Sequence, residues 1–227
     1  MNFKKLSIYS KDIEAQARFY RDLLGLEIVD RSETRLEVQM GNTLLALIQD
    51  KGQYQPYHFA INIPGYQEQE ALAWLKELGV EILPTDDGEI KDFSAWNARS
   101  IYFYDPDGNI VELIARRNLK YDKGAVFTST SLKEVSEIGV GAKDLPQLCQ
   151  WLEEEVGVGI FSGAPVKFCA MGGERALFIC VDSQEKFWYP TQVPAGPASF
   201  SVEMLLQEKA YRLKYTEEGL YHVEEEI

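Results

Sequence analysis

Apolar residues recur at spacings of three and four in three stretches of the chain, and between those stretches they alternate with polar residues. The first stretch, DIEAQARFYRDLLGLEI from Asp12, places Ile13, Ala17, Tyr20, Leu23 and Leu24 on one helical face. YQEQEALAWLKELGVEI from Tyr66 does the same with Ala71, Trp74, Leu75 and Leu78, and DLPQLCQWLEEEVGVGI from Asp144 with Leu145, Leu148, Trp151, Leu152 and Val156. The first and third align without gaps, Asp12 on Asp144, Phe19 on Trp151, Gly25 on Gly157 and Ile28 on Ile160. Asp12 and Asp144 can accept from the free N–H groups of a first turn, and the glycine ending each copy (Gly25, Gly79, Gly157) allows a left-handed C-terminal residue. KLSIYS, LEIVDR, RLEVQM and TLLALIQ flank the first helix, and HFAINIP, VEILPT, RSIYFY and NIVELIA the second, as strands.

Each unit therefore reads as a strand, a helix and three strands, about fifty residues long. Units one and two fill residues 1–117, 118–133 connect, and unit three occupies about 134–182. ASFSVEMLL is the first strand of a truncated fourth unit, followed by a hairpin around Glu217–Gly219, within a partial module spanning 134–227. The fold class expected is α+β. Strand alternation in KLSIY sets Lys5, Ser7 and Tyr9 against Leu6 and Ile8; in HFAINI it sets His58, Ala60 and Asn62 against Phe59, Ile61 and Ile63. Glu112 shares a face with Ile110 and Ile114. If DPDG at 105–108 is a four-residue turn, Arg99, Ile101 and Phe103 join that face; a one-residue slip substitutes Tyr102 and Tyr104.

Composition narrows the partners. The formal charge of −13 argues against nucleic acid and anionic membranes. No stretch approaches the roughly eighteen apolar residues of a membrane span, and the N-terminus lacks a signal-peptide core. Cys149, Cys169 and Cys180 lack metal-ligand spacing and read as reduced thiols, so a cytoplasmic protein is expected. GGER at 172–175 reads as a hairpin turn, and Trp96 as a pocket cap or simple packing.

The helix DIEAQARFYRDLLGLEI, the HFAI strand and YFYDPDGNIVEL together resemble the vicinal oxygen chelate superfamily, which includes glyoxalase I, bleomycin-resistance proteins and extradiol dioxygenases. The resemblance covers 1–117 and, less fully, 134–182. It implies paired βαβββ modules forming a curved open barrel, with a divalent metal (Zn, Ni, Mn or Fe) held by the first and last strands of each unit. The implied ligand positions are Lys5, Ala46, His58 and Glu112, of which His58 and Glu112 carry ligating side chains. The corresponding Glu137, Phe178 and Ser199 do not form a metal set.

Three accounts of His58 and Glu112 follow. They hold a metal together with water or substrate oxygens, with His222 joining if the C-terminal hairpin folds over. Alternatively Lys5 replaces the metal, and the cavity binds a small molecule without one. Or both residues are merely solvated or satisfied by backbone. In the first account the metal polarises two neighbouring oxygens in lyase- or ring-cleaving-dioxygenase-like chemistry, with Glu112, His58 and Lys5 as the catalytic candidates. Arg99, Tyr9, Asn62 and Phe103 are the substrate-contact candidates, Arg99 having a surface ion pair as its plainer reading. A non-catalytic interaction protein is the remaining class. A sheet edge at ASFSVEMLL could pair two copies into a homodimer.

Overall fold

The computed structural model describes all residues except 51, 53, 54, 217, 219, 220 and 227, and the backbone alone of 221–226. Unit one comprises β1 (Asn2–Ser10), α1 (Ile13–Ala17, continued by a wider π-type turn, Arg18–Leu23), β2 (Ile28–Arg31), β3 (Arg35–Met40) and β4 (Thr43–Gln49). Unit two comprises β5 (His58–Ile63), α2 (Glu68–Glu77), the short β6 (Ile82–Leu83) and β7 (Lys91–Phe93), β8 (Ala98–Tyr104) and β9 (Ile110–Arg116). Unit three comprises β10 (Glu134–Ala142), α3 (Leu145–Trp151, continued by Leu152–Val156), β11 (Ile160–Ala164), β12 (Phe168–Gly173) and β13 (Ala176–Asp182). A two-stranded ribbon, β14 (Phe187–Trp188) and β15 (Val193–Pro194), leads to β16 (Phe200–Leu206), β17 (Lys209–Tyr215) and β18 (Tyr221–Glu226).

The expected caps are present. Asp12 accepts from the Ala15 N–H at 2.9 Å and Asp144 from Gln147 at 2.9 Å, while Gln67 gives α2 no side-chain cap. GGER closes the β12–β13 hairpin, where Gly173 pairs with Ala176.

The units combine differently from their order in the chain. β18-β17-β16-β1-β4-β3-β2 form one sheet, so unit one pairs with the C-terminal strands. β11-β12-β13-β10-β5-β9-β8-β6 form the main path of the other, with β7 beside β8, so unit two pairs with unit three. The main apolar core, including Leu6, Ile8, Phe59, Ile61, Val111, Leu113 and Ile138, takes the inward alternation of both sheets. Phe3 and Phe178 meet across it with ring centroids 5.4 Å apart. β16 is hydrogen-bonded on both sides, to β1 and β17. The edge invoked for a homodimer is therefore not an edge.

The register around 105–109 departs from a four-residue turn. The Asp105 carboxylate accepts from the N–H of Asp107 and of Asn109, both at 3.0 Å, acting as backbone and lengthening the loop by one residue. Tyr104 consequently pairs with Ile110 and Tyr102 with Glu112.

Candidate metal centre

Three neighbouring strands bring the site together. β5 and β9 run parallel with Ala60 opposite Glu112; β10 runs antiparallel to β5 with Glu137 opposite Ala60. Glu137, Ala60 and Glu112 thus form one row across the nine-stranded sheet, and His58 lies two residues before Ala60 on the same face. The small Ala60 side chain leaves the two carboxylates room above it. His58 Nε2 lies 3.4 Å from Glu112 Oε2. One ligand atom from each of His58, Glu112 and Glu137 falls within 4.8 Å of the others, and all three residues are buried.

The side chains are held in place by their neighbours. His58 Nδ1 lies 3.3 Å from the Ile110 carbonyl; a carbonyl can only accept, so Nδ1 carries a proton, and Nε2 faces the carboxylates, donating to Glu112 when it is protonated and offering its lone pair to a cation when it is not. Glu137 is ion-paired with Arg116, whose side chain is wholly buried. Burial, reinforced by the Glu112 charge, pushes the Glu137 carboxyl up to about 7, although Arg116 and His58 oppose it. Burial lowers the His58 imidazole, but Glu112 and Glu137 outweigh it and leave the group above its ordinary value. Two adjacent buried carboxylates resist both being ionised unless a cation joins them. One imidazole nitrogen and two carboxylate oxygens suit a divalent ion such as Mn, Fe, Zn or Ni, so these residues fit the metal.

Above the centre lies a cavity of about 350 Å³ with largely apolar walls, among them Phe93, Trp96, Tyr102, Ile179, Phe168 and Trp188. Trp188 stands over His58, ring centroids 5.7 Å apart. It can approach because residue 139 is glycine; a Cβ there would lie 2.6 Å from the indole. Trp96 is anchored through Nε1 to Ser162 Oγ at 3.2 Å. Burial, with Glu112 and Glu137 nearby, pushes the Tyr102 phenol well above its usual value, so it remains a proton donor at neutral pH.

Several expected contributors lie elsewhere. Lys5 is in the seven-stranded sheet, 2.7 Å from Glu37 Oε1, so it does not replace a metal beside Glu112. Phe103 is buried in the main core, the register having placed Tyr102 in the hollow instead. Arg99 reaches Asp92 at 3.0 Å and Glu68 at 3.6 Å. Asn62 shares the His58 face, but its Nδ2 donates to Glu134, Tyr121 and the Glu174 carbonyl. Tyr9 lines a separate cavity of about 280 Å³ with Tyr57 and Lys214. The His222 side chain is outside the described residues. Glu137, set aside in the sequence as part of an unsuitable set, is the third candidate ligand. The signal was present: like Glu112, it is a carboxylate within an apolar strand, EVSEIGVG. Its diagonal neighbour on β13 is Ile179, a pocket residue; Phe178 faces the core. The Ser199 position is likewise shifted, since Ser201 pairs with Ser7 in the row matching Glu137 and Ala60. The aromatic ribbon at 187–189 and Arg116 carried no recognisable signal in sequence.

Residues 2–113 match the family described as the Glyoxalase/Bleomycin resistance protein/Dioxygenase superfamily. Metallothiol transferase FosB of Staphylococcus haemolyticus strain JCSC1435 is 36% identical over 108 residues, covering 45% of this chain and 74% of that protein. Its Staphylococcus epidermidis counterpart is 35% identical over 108 residues, with the same coverage. A putative dioxygenase from Bacillus subtilis subsp. subtilis str. 168 superposes on 99% of this chain and 84% of its own, with TM-score 0.64 and 12% identity.

Proposed function

The chain belongs to the glyoxalase/bleomycin resistance protein/dioxygenase superfamily, and from that premise we propose that it is a divalent-metal-dependent enzyme acting on a ring-sized, largely apolar molecule with two neighbouring oxygens. The observation carrying this reading is the convergence of His58, Glu112 and Glu137 at the floor of an aromatic cavity. His58, Glu112 and Glu137 would hold the ion, which would supply a Lewis acid for neighbouring substrate oxygens as they gain negative charge.

The protein's own groups do the rest. Trp188, Trp96 and Phe168 exclude water and sandwich a planar ligand. The Tyr102 hydroxyl, protonated at neutral pH, donates to an oxygen as it gains charge. His58 Nδ1 keeps its proton on Ile110, so the imidazole does not act as the acid.

A second reading, transfer of a thiol to a small electrophile, is favoured by the staphylococcal metallothiol transferases. Two features weigh against it. Glu137 lies beyond the residues that match the family, and among the described residues that line the cavity Lys186 alone carries a permanent cationic group. A ring-shaped apolar ligand suits these walls better than a small, highly charged one.

Calorimetric titration of the metal-stripped protein with Mn²⁺, followed by a catechol, tests the proposal. One Mn²⁺ per chain and metal-dependent catechol binding are expected. Catechol binding of equal strength without any metal would establish a metal-free binder instead.

A further inference from the structure

The buried charge around the site is not neutral. Glu112 and Glu137 contribute two negative charges when ionised, and Arg116 returns one positive charge. Arg116 is 0% exposed and lies on the face of β9 that carries Glu112, four residues on. Its Nη2 bonds Glu137, and its guanidinium carbon lies 5.4 Å from the centre of the Trp96 ring. Its Nε and Nη1 have no hydrogen-bond partner among the described residues. Glu137 thus offsets its charge, but the remaining donors are unsatisfied behind the indole wall of the pocket.

A neutral His58, two carboxylates and one guanidinium total −1; a divalent ion brings the floor to +1. Tyr102 counts as neutral, as a phenol is near pH 7, and Lys186 stands at the half-buried rim, where solvent screens its charge, so it stays outside the balance of the floor. In a cavity walled by aromatic rings, residual charge is expensive, and the ligand that cancels it is favoured. We propose that Arg116, through its ion pair with Glu137 and its stacking beneath Trp96, makes this pocket select singly charged anionic chelators over doubly charged ones. Arg116 is a specificity-determining residue that acts through Glu137 and Trp96 without touching the ligand. Replacing it with a neutral side chain leaves the metal-loaded floor neutral and removes the preference.

The inference rests on the metal-site reading, and the test separates the two. Mn²⁺-loaded wild type, Arg116→Met and Arg116→Lys are titrated with tropolonate, a planar singly charged chelator, and with oxalate, its doubly charged counterpart. Wild type is expected to bind tropolonate more tightly than oxalate. Arg116→Met is expected to take up Mn²⁺ yet bind tropolonate about ten- to a hundredfold more weakly, the effect of losing one unit charge within several Å in a partly screened interior. Arg116→Lys, which keeps the charge, is expected to recover most of that loss. If wild type takes up no divalent ion, the site reading falls and this inference with it. If wild type binds Mn²⁺ but prefers oxalate, or if Arg116→Met binds Mn²⁺ and tropolonate as wild type does, the inference alone is overturned. If Arg116→Met fails to fold, Arg116→Lys and a wild-type preference for oxalate still put the inference at risk.

Discussion

The two sheets carry the same four-strand plan and different chemistry. In the nine-stranded sheet, His58 pairs with Ile110, and Glu112 lies two residues further along the parallel neighbour. In the seven-stranded sheet, Lys5 pairs with Leu44, and Ala46 lies two residues further along. The geometry is the same, but Lys5 and Ala46 stand where His58 and Glu112 do. Across the central pair, Ser201 faces Ser7 in one sheet and Glu137 faces Ala60 in the other. Lys5, unable to ligate a metal while charged, bonds instead with Glu37 on β3, reaching across β4. One scaffold thus positions side chains equally well in both hollows, and residue type alone decides whether a metal centre is possible.

The most severe test of that contrast removes a ligand from each hollow. His58→Ala is expected to abolish Mn²⁺ binding, since it deletes the nitrogen donor of the set formed by the described residues, a larger loss than the tenfold to hundredfold that supporting groups contribute. Lys5→Ala is expected to leave Mn²⁺ stoichiometry and affinity unchanged. Calorimetry and elemental analysis read both. Loss of the ion in Lys5→Ala, or its retention in His58→Ala, would mean that the metal sits elsewhere. The next effect concerns the wall. Trp188→Ala should weaken binding of an aromatic chelator about tenfold while Mn²⁺ affinity holds, because the indole covers the ligand side of the centre.

Much of the fold could be read from the chain, because period and punctuation are local. Asp12, Asp144 and the helix-ending glycines all behave as the sequence predicts, with positive φ at Gly25, Gly79 and Gly157. His58 and Glu112 were legible because each is a charged or polar residue on an alternating strand. Which units share a sheet was not, for it depends on contacts between segments far apart in sequence. That is why the sequence alone discounts Glu137 and sets Lys5 beside Glu112. A finer error came from Asp105, whose side chain substitutes for backbone and shifts β8 by one residue. Phe103→Leu sharpens this point. Phe103 packs in the main core against Phe19, centroids 6.2 Å apart, so the change should cost about 1 kcal/mol of unfolding free energy and leave ligand affinity untouched. A change in affinity without a loss of stability would restore Phe103 to the pocket.

The smallest effect expected belongs to the hollow where the described residues form no metal-ligating set. Glu37 accepts from Lys5 and from Arg35, and the Lys5 hydrogen bond, against a smaller effect of burial, holds its carboxyl below the ordinary value. A carboxyl lowered on folding stabilises the protein above its unfolded pKa of about 4.3 and loses that contribution as pH falls through the lower folded value. The side chains of Lys5 and Glu37 are 20% and 11% exposed, so solvent screens the pair only in part. Lys5→Met should therefore lower the urea-unfolding free energy by about 0.5–1 kcal/mol at pH 7, with the difference shrinking towards zero below about pH 4. Arg35 remains bonded to Glu37 in that variant, which keeps the loss at the lower end. A deficit that is the same at pH 3 and pH 7 would show that Lys5 contributes by packing its methylenes and not by charge. The two hollows would then differ in one respect fewer, with the seven-stranded sheet a plain polar surface and not one held by an ion pair where the other sheet gathers its ligands.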